Sequence, residues 1–297
     1  MLVCLLWGIF AGPAEAHDFW LEPSSYEVEA EEPVTFSLRE GHGAGNPLPR
    51  NEGRIVRFEL LGPEGALPIR GADRMQPAGA VRKLPPGAYA AVYANTPARS
   101  ELPGPRFESY LEEKGLQDAA RQRREEGTTG EPGKERFYRC AKTLLTVGDG
   151  GDESSHATAS TPAGLTLELV PAKAPSELAP GETLSVELLF RGQPLPGAKV
   201  TAFGGQATHG SPSGEPLTLT TDAGGRISLP LEGGRWRLQA VHMEALNGEA
   251  LNGEAPEGSE DHESDRGKAP SASDLDWQSW WASLTFAVPE TPRRAAR

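Results

Sequence analysis

The sequence predicts an all-β protein of two sandwich domains with one helical insertion. Three observations carry this. Helical periodicity is scarce along the 297 residues, several short segments alternate apolar and polar side chains, and 35 Gly and 27 Pro punctuate them. A length near 300 residues accommodates two domains of about 150 each. The first domain is expected over 17–148 as an immunoglobulin-like sandwich. The second is expected over 162–289 as a sandwich of the transthyretin or carboxypeptidase-regulatory type, with 149–161 as a linker and 290–297 as a tail.

In the first domain, 33–40 places Val34, Phe36 and Leu38 on one side and Thr35, Ser37 and Arg39 on the other. Period two over that length describes a half-buried strand. A second strand is expected over 54–61, followed by the turn Gly62-Pro63-Glu64-Gly65, and a third over 87–95, after Pro85-Pro86. The insertion 105–125 reads as helical, with Phe107, Tyr110, Leu111 and Leu116 as a partial apolar face and 127–133 as its stop. Residues 142–147 close the domain as a strand. The 149–161 segment, rich in Gly, Ser, Asp and Thr, reads as a linker.

In the second domain, Leu184, Val186, Leu188 and Phe190 alternate as a strand. Then come Gly192-Gln193-Pro194-Leu195-Pro196-Gly197-Ala198-Lys199-Val200, the turn Thr221-Asp222-Ala223-Gly224-Gly225, and a strand from Gly234 to Val241. The Asp side chain is expected to cap that turn while a glycine accepts positive φ. The order of these pieces resembles small transthyretin-like modules. Residues 244–273 hold no aromatic residue and two copies of Ala-Leu-Asn-Gly-Glu, and read as a disordered acidic loop. Ser273 to Asp276 fits a Ser-x-x-Asp helix start, with Trp277 and Trp281 four apart on one helix face and 283–288 as the final strand.

The net charge of −13 is concentrated. Between Glu244 and Asp276 ten acidic residues stand against Arg266 and Lys268. No basic patch exists to displace phosphate counterions, which argues against a nucleic-acid partner. Of two cysteines, Cys4 falls in the amino-terminal apolar stretch and Cys140 is the single thiol beyond it. Cys140 is expected to be buried and inert, with a reactive or metal-binding thiol as the alternatives.

Residues 1–16 read as a signal peptide. The apolar run 2–11 is too short to span a membrane, which takes about 20 apolar residues, and ends at Ala14-Glu15-Ala16, a small-x-small cleavage pattern. A cut after Ala16 makes His17 the first mature residue. It then offers two nitrogen donors, an α-amine with an ordinary pKa of about 7.7–8.0 and an imidazole at about 6.5, both able to yield their protons to a metal near neutral pH. A cut after Ala14 leaves His17 third, also a copper- and nickel-chelating position. The chain is therefore expected to be periplasmic or otherwise exported, and soluble once cut.

Of the remaining histidines, His156, His209 and His262 lie in the linker, a turn and the acidic loop, and are expected to be solvated. His42, in Arg39-Glu40-Gly41-His42-Gly43, sits where glycines let a loop bend and aim a side chain. His242 has the parity of Trp236, Leu238 and Ala240, which describes a core-facing histidine, but it stands near a strand end where a site could form. Met243 is a soft donor, and Asp18 suits a carboxylate that orients a metal-bound imidazole. Nitrogen donors would take Ni(II), Cu(II), Co(II) or Zn(II). No Ser-His-Asp or paired-carboxylate arrangement stands out, so no enzyme activity is expected.

Three segments in order carry a wider resemblance: His17-Asp18-Phe19-Trp20-Leu21-Glu22-Pro23; Glu135-Arg136-Phe137-Tyr138-Arg139-Cys140-Ala141-Lys142; and Ala240-Val241-His242-Met243 followed by 276–286. Together they resemble an exported domain-of-unknown-function family described as a periplasmic nickel/cobalt-uptake accessory component. The resemblance implies a metal-handling protein working beside membrane metal-transporter components, with nickel or cobalt as its ion and copper as a further possibility. It adds His242 to His17 and His42 as a candidate ligand. The acidic insertion after Met243 departs from the family pattern. Two other readings stay open: an envelope binding or adhesive module, and a copper oxidase using His17 in a two-histidine brace.

Overall fold

A computed structural model describes residues 18–151, 153–204, 215–246 and 275–291. His17, His209, His262 and almost all of the acidic loop lie outside them. The first half contains β1 (Phe19–Pro23), β2 (Glu27–Val28), β3 (Val34–Glu40), β4 (Asn46–Leu48), β5 (Ile55–Gly62), β6 (Gly65–Pro68), β7 (Gly79–Val81), β8 (Gly87–Asn95), β9 (Ala98–Leu102), α1 (Gly104–Lys114), α2 (Gln117–Glu126) and β10 (Gly133–Val147). The second contains α3 (Glu153–Ser160), β11 (Leu167–Pro171), β12 (Thr183–Phe190), β13 (Gln193–Pro194), β14 (Lys199–Phe203), β15 (Leu217–Thr220), β16 (Arg226–Pro230), β17 (Gly234–Ala245) and β18 (Trp277–Val288).

The protein is all-β, with small helical additions, and its two halves share a sheet. A ten-stranded sheet runs β15-β14-β17-β18-β10-β8-β5-β6, with β2 and β9 also paired to β10. The join is the parallel pairing of β10 with β18, from Glu135 opposite Trp277 to Thr143 opposite Thr285. One face of the long sheet is covered by a four-stranded sheet (β1, β3, β4, β7) and by the α1–α2 hairpin. The other is covered by a second four-stranded sheet (β11, β12, β13, β16) and α3. Alternation sorts the side chains: Ala141 and Leu145 join the first core, Cys140 and Leu144 the second.

The alternating strands form where the pattern places them. Val34, Phe36 and Leu38 are buried and Thr35 and Ser37 half-buried; Leu184, Val186 and Leu188 are buried on β12. The Asp222 turn works as expected. Its Oδ1 accepts from the N–H groups of Gly224 at 2.8 Å and Arg226 at 2.9 Å, and Gly225 adopts φ 73°. The insertion is two helices, because Gly115 at φ 71° ends the first after Lys114. Residues 153–160, within the expected linker, form the short helix α3. One expectation gives way: Trp277 to Val288 is one strand, so Trp277 and Trp281 do not share a helix face. The spacing of Trp277 and Trp281 satisfies period two as well as a helical turn, and both side chains pack in the helix-hairpin core with Phe107 and Tyr110. Nine paired positions along β10 stabilise the extended form, a long-range effect that local spacing does not contain.

A buried ion pair links the halves. Lys142 Nζ on β10 lies 2.6 Å from Glu168 Oε1 on β11, both side chains being 1% exposed. Glu168 also accepts from the N–H groups of Ala163 at 2.7 Å, Gly164 at 2.9 Å and Leu165 at 3.1 Å. Its carboxylate therefore organises the turn that leads into β11.

Candidate functional site

The described chain begins at the wall of a cleft of about 290 Å³ on the α1–α2 side of the long sheet. Asp18 and Phe19 form one side with the His42 loop, the end of α1 another, and Gln239, Val241 and Trp281 the sheet behind. Asp18 is 5% exposed. Its Oδ1 accepts from Lys114 Nζ at 2.9 Å, and its Oδ2 lies 4.0 Å from His42 Nδ1. Burial works against the Lys114 ammonium, but the Asp18 charge and hydrogen bonds to Asp18 and Glu113 more than offset this, so its pKa is held above the ordinary lysine value.

The His42 loop is pinned from three directions. Gly41 N–H donates to Asp18 O at 2.9 Å, Gly45 N–H to His42 O at 3.0 Å, and Arg237 Nη1 to Gly43 O at 3.0 Å. Arg237 is itself packed on the Trp20 ring, 3.8 Å from its centroid. Gly45 is required twice over: its φ is +60°, and a Cβ there would stand 2.3 Å from Trp20 Cη2. The His42 side chain is 76% exposed, so it meets solvent at the rim of the cleft beside a buried carboxylate.

His242 stands elsewhere. On β17, Gln239 and Val241 face the cleft, while His242 points through the other face of the sheet. There its ring lies 4.2 Å from that of Phe190 and 6.2 Å from that of Trp280, with Nε2 3.9 Å from Glu244 Oε1. Burial lowers its pKa, opposed by the Glu244 charge, so the imidazole is neutral at pH 7. The structure thus brings Asp18 and His42 together and leaves His242 on the far side of the sheet. Met243 is buried among Val241, Trp277 and Trp281. Among the described residues no three His, Cys, Asp or Glu side chains gather as a metal cluster. Cys140 is buried and its thiol is pushed up to about 11 by that burial, which makes it inert. His156 Nδ1 lies 2.6 Å from Glu177 Oε1, away from the cleft.

The sequence family described as "Domain of unknown function (DUF4198)" matches residues 14–244, most of the chain. This protein belongs to the DUF4198 family. A search of curated proteins finds no match. A solved structure similar to this DUF4198 chain is the cryo-EM reconstruction of the native conformation of E. coli alpha-2-macroglobulin, at 11% identity and a TM-score of 0.20, over 94% of this chain and 17% of that one. No helix among the described residues is long and apolar enough to cross a membrane.

Three residues of the cleft carried no signal in the sequence. Lys114 closes α1, Gln239 occupies a buried polar position on β17, and Lys199 opens β14. Each reads locally as an ordinary surface or strand residue, and only the tertiary fold brings them to Asp18. The buried carboxyl of Glu135 on β10, bonded to Tyr110 and Ser279, likewise lies within a recognised segment, but nothing local marks it.

Proposed function

We propose that this is an exported, periplasmic, non-enzymatic protein that binds a transition metal through a mature N-terminal His17 and works beside membrane metal-transporter components in nickel or cobalt uptake. The observation that carries the reading is the position of Asp18. It is buried in the cleft wall next to His42, and it is the residue that follows His17 in the chain. The donor set is then the His17 α-amine and imidazole with the His42 imidazole. Asp18 plays the part a carboxylate commonly plays at metal-bound histidine, fixing ring orientation and basicity. This set fits a borderline divalent ion. Intrinsic affinity rises toward copper, so supply selects nickel or cobalt over it. His242 is not needed for this site.

The test is equilibrium dialysis of protein beginning at His17 against Ni(II), Co(II) and Cu(II). One equivalent is expected to bind, with at least tenfold loss on His17→Ala or on addition of one residue ahead of His17. Unchanged affinity in both variants overturns the amino-terminal chelate.

A further inference from the structure

The cleft is far larger than an ion needs. Its volume of about 290 Å³ compares with about 30 Å³ for a water molecule and lies at the small end of ligand pockets. The lining is mixed: Phe203, Val241 and Trp281 give an apolar wall, and Asp18, His42, Lys114, Lys199 and Gln239 bring polar groups. Asp18 and Glu113 share one ammonium, with Lys114 Nζ 2.9 Å from Asp18 Oδ1 and 3.0 Å from Glu113 Oε1, and Lys199 supplies the second positive charge of the lining. Donors are in surplus. Lys199 Nζ gives one hydrogen bond to Glu113 O at 2.8 Å, and an ammonium has three donors to give. Gln239 lines the cleft at 9% exposure, and its amide Nε2 is buried with no hydrogen-bond partner. A buried amide without a partner is costly, so the cleft holds an unmet demand for an acceptor.

We infer that the cleft seats a small chelating carboxylate, an α-amino or α-hydroxy acid, so that the metal is taken up as a chelate rather than as a bare ion. Its carboxylate meets Lys199 and, after a side-chain adjustment, the Gln239 amide. Its carbon skeleton lies on Trp281 and Phe203. Its α-amino or α-hydroxyl group and one carboxylate oxygen face the rim, where they complete the coordination of an ion held by His42. The ion in this arrangement rests on the metal reading above; the carboxylate subsite does not.

Isothermal titration calorimetry of the protein beginning at His17 separates the two. The titrants are Ni(II) alone, L-histidine alone, citrate alone, and Ni(II) premixed with each acid. The inference expects one acid to bind by itself, and Ni(II) premixed with it to bind at least tenfold more tightly than Ni(II) alone. Gln239→Leu is expected to weaken the binding of that acid at least tenfold. If Gln239→Leu does not fold, Lys199→Met serves as the second variant, with the same tenfold loss expected. The acid that binds identifies the source, amino or hydroxy. Binding of an acid without any binding of Ni(II) supports the subsite and overturns the metal reading. Binding of Ni(II) with no binding of either acid, or removal of Ni(II) from the protein by both acids, overturns the inference.

Discussion

Glu135 gives the sharpest stability prediction because its environment favours one protonation state. It lies on β10 at 1% exposure, beneath the α1–α2 hairpin. Ser279 Oγ donates to its Oε2 at 2.8 Å and Tyr110 OH at 3.3 Å, while Oε1 is buried with no partner. Burial raises the pKa to about 7 from an ordinary 4.5, with the two hydrogen bonds only partly offsetting it. In the unfolded chain the same group ionises near 4.5, so between about 4.5 and 7 the folded state holds a proton that the unfolded state releases. Stability is therefore lost as pH rises through that window, at about 1.4 kcal/mol per pH unit, on the order of 3 kcal/mol in all. Glu135→Gln keeps the size and the acceptor for Ser279 and Tyr110 but cannot ionise. At pH 8 it is expected to be more stable than the wild type by on the order of 3 kcal/mol, or about 6–12 °C in Tm, and at pH 4.5 to differ by less than about 1 kcal/mol. Thermal melts of both proteins at half-unit steps from pH 4.5 to 8 give the comparison. A Gln variant that is less stable than wild type at pH 8, or whose melting curve keeps the wild-type pH slope, refutes the reasoning.

The remaining expectations concern other parts of the fold. Lys142→Met should cost about 3–5 kcal/mol in urea denaturation by leaving a buried carboxylate without its counter-charge. Glu168→Leu should cost more, because it also strips the acceptor from Ala163, Gly164 and Leu165; equal costs would contradict that shared role. Gly43→Ala and Gly45→Ala both place a side chain at φ +60°, worth about 1–2 kcal/mol each, but only Gly45→Ala meets Trp20, for a further 1–3 kcal/mol or so. Equal melting temperatures for the pair would mean that the His42 loop does not rest on that ring. Cys140 should resist a thiol reagent in the native protein and react once unfolded, as its burial and raised pKa require; rapid native labelling would contradict its place in the core.

Much of the fold was legible because it rests on local patterns. Alternation located β3 and β12 closely, the Pro85-Pro86 turn located β8, and Asp222 with its glycines described its own turn. What was not legible depends on partners distant in the chain. Trp277 to Trp281 could not announce a strand, since the template that extends it is β10, more than a hundred residues earlier. The join of the two halves into one sheet follows from that same pairing. At the site, Asp18 and His42 were marked by the amino-terminal motif and the glycine loop. Lys114 and Gln239 were not, because a helix end and a strand position acquire meaning only against the cleft. The parity of His242 with Trp236, Leu238 and Ala240 already described a core-facing ring, and the strand keeps it there, on the opposite face from Gln239 and Val241.

The central claim is that a metal sits at the amino terminus beside His42. Electron paramagnetic resonance of the Cu(II)-loaded protein beginning at His17, with His42→Ala and His242→Ala in parallel, tests it most directly. Nitrogen hyperfine structure from three donors is expected in the wild type, with loss of one on His42→Ala and no change on His242→Ala. A spectrum that changes with His242 and not with His42 would contradict it.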